Sequence, residues 1–189
     1  MKVVKTLFDS VLVIEPKIWR DARGFFFESY SKAAFEALGI TTEFVQDNHS
    51  RSIGKTVVRG IHLQKAPFAQ AKLVRCTRGR MWDVVVDLRA DSPTFGQWEG
   101  VELSEDNALM LFIPAGFGHG FKSLTDDVEV LYKVDRPYHP ASEVTIRWND
   151  PTIGIEWGIE EPVLSAKDAN AKTLNEQWLQ LKGETQRNS

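Results

Sequence analysis

Two histidines pose the chemical question in this sequence: His62, in Gly60-Ile61-His62-Leu63-Gln64, and His119, in Pro114-Ala115-Gly116-Phe117-Gly118-His119. Imidazole serves either as a metal ligand or as an acid–base group near neutral pH. A stable Zn or Fe(II) site takes three or four protein ligands. Gln64, not a further His, stands two residues after His62, and no Glu occurs between Glu43 and Glu99. The two imidazoles are therefore left for proton transfer, and the expectation is an enzyme without a metal or other cofactor.

Strand parity adds candidates, because alternate residues of a strand share a face. Lys72 shares a face with Val74 and Cys76; Tyr132 shares one with Val128, Val130 and Val134. Simple alternation places His62 with Val58, Gly60 and Gln64, and puts Arg59 on the opposite face. Either Gly60 marks a bulge that re-aims Arg59, or Arg59 meets something beyond that face, such as a neighbouring subunit. A Lys, a His and a Tyr on apolar inward faces cost free energy unless partners satisfy them. A ligand cavity in the mouth of a barrel accounts for all three. Each also has a purely structural reading: a satisfied core His, a core Tyr with a bonded hydroxyl, a Lys snorkelling at a rim.

The elements that must hold these groups are short β-prone runs punctuated by Gly, Pro, Asp and Ser. They are 3–8, 11–15, 24–30, 43–49, 56–64, 71–78, 81–88, 98–103, 109–113, 118–124 and 128–135. So many short strands predict an all-β sandwich or barrel, here a jelly roll. In 81–88, Trp82, Val84, Val86 and Leu88 alternate with Asp83, Val85 and Asp87, which reads as a half-buried strand. A short helix is expected over 31–38, with Ser31 as N-cap and Gly39 as stop, and a C-terminal helix over 170–182 with Leu174 and Trp178 on one face.

The bulk numbers exclude several classes. The 189 residues, 42% hydrophobic and 26% charged, suit one domain with a helical extension from about residue 170. A net charge of -3 without a basic run argues against nucleic acid as a partner. Cys76 is the single cysteine, which fits a reducing compartment. Neither a signal-peptide core nor an apolar run of membrane-spanning length is present, so a cytoplasmic protein without membrane partners is expected.

The two histidine segments are similar to the two halves of the cupin signature, with Gln64 where a metal cupin has its second His. The chain more closely resembles the dTDP-4-dehydrorhamnose 3,5-epimerase family. The resemblance is carried by residues 23–30 (RGFFFESY), 44–50 (FVQDNHS), 59–64 (RGIHLQ), 70–75 (QAKLVR), 91–96 (DSPTFG), 113–121, 131–133 (LYK), 146–151 (IRWNDP) and 164–168 (LSAKD). It covers nearly the whole chain. Leu63, where many members carry an aromatic residue, and Gly118, where Ala is usual, depart from the pattern without removing a titratable group.

The resemblance implies a cupin-type jelly roll and a dTDP-linked 4-keto-6-deoxy sugar as substrate, inverted at C3 and C5 through enolates. It implies that His62 is the base, that Asp168 fixes its tautomer, that Lys72 faces the C4 oxyanion and that Tyr132 is the acid on the other sugar face. His119 would line the pocket. Asp168 falls in an expected loop, where an Asp is ordinarily a cap or turn residue. For the nucleotide, Arg23 and Arg59 suit pyrophosphate, with Lys167 beside them. Glu28, Gln46 and Asn48 would meet base or ribose, Tyr138 would stack on the pyrimidine, and Glu143 is a weaker carry-over. Phe26 belongs to the run Phe25-Phe26-Phe27, whose rings occupy both faces of a strand and need a second cover. The resemblance supplies one: a homodimer with exchanged N-terminal strands, bringing 23–28 to the partner's site. The same residues would also serve a single-centre 3- or 5-epimerase. A metal cupin such as a dioxygenase and a non-catalytic sugar-binding jelly roll are the readings from other classes.

Overall fold

The computed structural model describes residues 1–177. Thirteen strands make up the described fold: Lys2–Leu7 (β1), Val11–Glu15 (β2), Trp19–Asp21 (β3), Gly24–Phe26 (β4), Gln46–Ile53 (β5), Val58–Gln64 (β6), Lys72–Arg78 (β7), Arg80–Asp87 (β8), Trp98–Ser104 (β9), Met110–Ile113 (β10), Phe117–Ser123 (β11), Asp127–Val134 (β12) and Glu143–Thr145 (β13). A six-stranded sheet in the order β1-β2-β10-β7-β12-β5 faces a five-stranded sheet in the order β13-β6-β11-β8-β9. Their ladders are antiparallel. This is the expected jelly roll. Strands distant in sequence become neighbours, so the inward faces of β6, β7, β11 and β12 meet in one barrel.

Between the sheets lies an apolar core that includes Val13, Val74, Cys76, Val85, Leu111, Phe117, Phe121 and Val130, with Tyr132 packed against it. Two further layers cover the outer faces. The helix Lys32–Glu36 (α1) brings Phe35 onto the six-stranded sheet against Ile14, Leu73, Met110 and Phe112. Ser31 occupies its N-cap without a side-chain cap bond, and Gly39, at φ +83°, ends the turn that follows.

The segment after β13 covers the five-stranded sheet. Ile153, Ile155, Trp157 and Leu174 pack on Val58, Ile61, Val84 and Val86. Buried Asp150 ties that segment down: Oδ1 accepts from the Thr152 and Ile153 amides, both at 2.9 Å, and Oδ2 from the Leu174 amide at 2.6 Å. The Lys122 ammonium donates to the Trp157 carbonyl, whose indole in turn donates to the Trp148 carbonyl. Strand β8 is thus buried on both faces instead of half-buried, and Asp83 and Asp87 lie at 0% exposure. Alternation records only which residues share a face, and a distant segment supplies the cover for the other.

Other boundaries also differ from expectation. The strand expected over 24–30 stops at Phe26 and forms a separate hairpin with β3. The strand expected over 43–49 is displaced to Gln46–Ile53, and β3 and β13 were not anticipated. Asn170 is a turn residue and Lys172 bridges to Ile146; helical backbone begins at Leu174, where Glu176 accepts from the Thr173 amide at 2.7 Å as in a capping box. The remainder of the expected C-terminal helix, with Trp178, lies outside the described residues.

The bulge in β6 has the largest consequence for the site. His119 pairs with His62 and Phe121 with Arg59, so Gly60 and Ile61 together oppose Gly120. Gly60 has φ +111°, and a Cβ there would sit 2.7 Å from Gly120 Cα. Only glycine fits. The extra residue reverses the alternation. Val58, Ile61 and Leu63 pack outward, while Arg59, His62 and Gln64 line the barrel mouth. The placement of Val58 beside His62 is therefore corrected, and of the two readings of Arg59 the bulge holds. Gly118 also has a local reason: a Cβ would meet Ile61 Cγ2 at 2.5 Å.

Candidate active site

A cavity of about 290 Å³ opens at the barrel mouth, and its two walls come from the two sheets. His62, Arg59 and Gln64 from β6, His119 from β11 and Glu143 from β13 form one wall. Lys72 from β7, Tyr132 from β12, and Gln46, Asn48 and Ser50 from β5 form the other. Tyr138 reaches its rim from a loop and Lys167 from the short helical turn Ala166–Ala169.

His62 is held from behind. Its Nε2 lies 2.5 Å from Asp168 Oδ1, and Asp168 is buried. The Ser165 hydroxyl donates to the other carboxylate oxygen at 2.9 Å and accepts from the Asp168 amide at 3.1 Å. Asp168 is therefore not in a loop but in the one-turn helix Ala166–Ala169 (α2), with Ser165 as its N-cap. Burial pushes the Asp168 carboxyl up, but the His62 hydrogen bond and charge, Ser165 and Lys167 outweigh it and hold it below the usual carboxylate range. An ionised Asp168 fixes the imidazole's orientation by accepting its hydrogen bond. With Nε2 so engaged, Nδ1 is the nitrogen left to take up a proton.

Lys72 is buried, and among the described residues its hydrogen-bond acceptor is the His62 carbonyl, at 3.3 Å. Burial pushes its ammonium down to about 8 despite the opposing charges of Asp83 and Glu143. An ammonium has three donors, so Lys72 keeps hydrogen-bonding capacity for a ligand oxygen. Burial likewise raises the Tyr132 phenol above its ordinary value of 10.0.

A second His–carboxylate pair lies beside the first. His119 Nε2 is 2.8 Å from Asp83 Oδ1, while Asp83 Oδ2 is buried with no hydrogen-bond partner among the described residues. Sequence reading gave Asp83 to the solvent face of β8. The signal that finds it is parity with Met81 and Val85, both in the barrel core.

At the rim, Tyr138 donates to Glu143 Oε2 at 2.9 Å, and Lys167 lies 2.6 Å from Glu143 Oε1. Burial raises the Glu143 carboxyl, but Lys167 and Tyr138 bring it below its usual range. Arg59 donates through Nε to Ser52 and through Nη2 to the Arg51 carbonyl, which aims the guanidinium. Gln46 donates to Asn48 Oδ1 at 2.9 Å.

Three expected residues are not brought to this cavity. Arg23, Phe26 and Glu28 lie on or beside the β3–β4 hairpin and are exposed, with Arg23 paired to Asp21. Phe25 and Phe26 are 62% and 65% exposed. Leu63 borders the cavity while packing in the outer layer. Gln64, Gln70, Ser50 and Ser165 belong to the site and were not picked out as site residues from the sequence.

The family whose sequence profile is described as dTDP-4-dehydrorhamnose 3,5-epimerase matches residues 5–176. This chain belongs to that family. It is 54% identical over 181 residues to the dTDP-4-dehydrorhamnose 3,5-epimerase of Salmonella typhimurium, covering 95% of this chain and 98% of the relative. Its fold matches the crystal structure of dTDP-6-deoxy-D-glucose-3,5-epimerase from Legionella pneumophila in complex with dTDP-4-keto-L-rhamnose. That match has a TM-score of 0.90 at 48% identity, over 95% of this chain and 96% of that one. A 3′-monoepimerase from Streptomyces bikiniensis, in complex with dTDP-quinovose, also matches, with a TM-score of 0.83 at 36% identity over 94% and 93% of the two chains. Among the described residues no helix is long and apolar enough to cross a membrane.

Proposed function

We propose that this protein inverts C3 and C5 of dTDP-4-dehydro-6-deoxy-D-glucose to give dTDP-4-dehydro-L-rhamnose, without a cofactor. The observation that carries the reading is the placement of the Asp168-supported His62 on one wall and of Lys72 and Tyr132 on the other. The C3 and C5 protons are both alpha to the C4 ketone. His62 takes one of them, and its new charge is stabilised by Asp168. Electron density moves from the broken C–H bond to the C4 oxygen, where the Lys72 ammonium meets the developing enolate. Tyr132, from the facing sheet, returns a proton to the opposite side of the carbon and inverts it. The same groups act at the second carbon. His119, held by Asp83, lines the sugar pocket.

The nucleotide lies at the rim. Arg59 and Lys167 face the pyrophosphate, Gln46 and Asn48 the nucleoside, and Tyr138, oriented by Glu143, stacks on the pyrimidine. Arg23, Phe26 and Glu28 come from a second copy of the chain. The exposed Phe25 and Phe26 rings and a hairpin that joins neither main sheet support a homodimer with exchanged N-terminal strands. Sedimentation showing a fully active monomer would refute it. The single buried Cys76 fits action in the cytoplasm.

The deciding experiment is incubation with dTDP-4-keto-6-deoxyglucose in heavy water, with deuterium read at C3 and C5 by NMR. Label at both carbons and an L-sugar trapped by a downstream reductase support the reading. Label at one carbon replaces it with a single-centre epimerase, and label at neither refutes it.

A further inference from the structure

Gln64 occupies the position at which a metal-binding cupin has its second His, yet its amide points to backbone. It is 4% exposed, although it lines the cavity. Its Nε2 donates to the Pro137 carbonyl at 3.4 Å and to the Phe68 carbonyl at 2.7 Å. Its Oε1 accepts from the His139 amide at 2.8 Å. The side chain thus grips the backbone immediately before and immediately after Tyr138. The bond to the Phe68 carbonyl joins that loop to the one carrying Phe68, whose ring stacks on His139 with centroids 3.8 Å apart. Gln70 repeats the tie, donating to the Arg136 carbonyl at 2.6 Å.

Tyr138 needs such support. It is 54% exposed, and among the described residues its hydroxyl bonds to Glu143. An exposed ring on an unsupported loop loses conformational freedom on binding a planar ligand, and preorganisation removes that cost. A buried amide whose donors and acceptor are all used by loop backbone supplies it.

We propose that Gln64 is a positioning residue for nucleotide recognition, setting the Tyr138 loop through paired hydrogen bonds to its backbone, and that it takes no part in proton transfer. This rests on the nucleotide-sugar reading above. The test is a double-mutant cycle on dTDP affinity, measured by calorimetry with wild type, Gln64→Leu, Tyr138→Ala and the double variant. Gln64→Leu is expected to weaken dTDP binding about tenfold and to raise KM in step, while kcat changes less than about threefold. In the Tyr138→Ala background the same substitution is expected to cost less than about threefold, because interacting residues are not additive. Gln64→Glu retains the bond from the His139 amide and, kept protonated by burial against two carbonyl oxygens, one of the two donated ones. It is expected to fall between wild type and Gln64→Leu, and it replaces Gln64→Leu in the cycle should that variant not fold. Additive losses, unchanged dTDP affinity, or a fall in kcat at constant KM would each overturn the inference. A wild type that neither binds dTDP nor exchanges label fails the function itself, which is a separate result.

Discussion

Lys72 turns the proposed mechanism into a pH profile. Its ammonium sits at about 8 instead of 10.5 because burial removes its hydration. A shift of that size corresponds to roughly 3 kcal/mol of disfavour toward the charged form. The charged form is nevertheless the one that stabilises an enolate. Lys72 is protonated below about 8 and loses the proton as pH rises through that value. The free enzyme's kcat/KM should therefore show a descending limb with an apparent pKa near 8, and at pH 9 it should be down roughly tenfold. Tyr132, raised above 10.0 by burial, remains a proton donor throughout that window and does not account for the limb. The assay is initial-rate deuterium incorporation at C3 and C5 between pH 6.5 and 9.5, with circular dichroism at each pH to show that the fold persists. Lys72→Arg, whose guanidinium keeps its charge across the range, should abolish the limb at whatever rate its geometry permits. Lys72→Met should lower kcat by about 10²–10³-fold, as loss of an oxyanion donor does. A flat profile to pH 9.5, or a limb that persists in Lys72→Arg, would refute the assignment of Lys72 to the C4 oxygen. The sign for stability is opposite. Between about 8 and 10.5 the unfolded chain holds the Lys72 proton that the folded chain has lost, so this group adds stability as pH rises.

Asp168→Asn should leave His62 oriented but without its counter-charge, lowering kcat by about 10²–10⁴-fold; exchange kinetics unchanged from wild type would sink the pairing. Tyr132→Phe should separate proton removal from inversion, so that label washes into recovered substrate while the trapped L-sugar disappears, and normal product yield would contradict its role as the acid. Gly60→Ala should destabilise the fold by at least about 1–3 kcal/mol, because φ +111° and the 2.7 Å approach to Gly120 Cα leave no place for a Cβ; urea melts of the two proteins measure this directly.

How much of the site was legible depended on whether a local period carried it. Alternation alone placed Lys72 with Val74 and Tyr132 with Val130, and both pairs face inward as expected. In β6 the same rule misplaced Val58, because one bulge residue reverses every assignment on its far side. Asp168 meets His62 across 106 residues of chain, a contact that no local period encodes, and it is the local Ser165 cap that aims its carboxylate. Asp83 escaped notice because its strand reads as half-solvated until the segment ending at Leu174 is laid over the other face.

The residue types and their spacing determined that this chain builds a barrel of short strands, that titratable groups sit on inward faces, and that His62 and His119 lack the further ligands of a metal cupin. Those are properties of the local chain, set by side-chain chemistry and the two-residue period. The tertiary structure decided which groups face one another. It set His62 and Tyr132 on opposed walls, gave each histidine its own carboxylate, and turned Gln64 from a missing ligand into a tie between two loops. Such pairings are contacts between segments far apart in sequence, fixed by sheet order and register, and no local pattern encodes them.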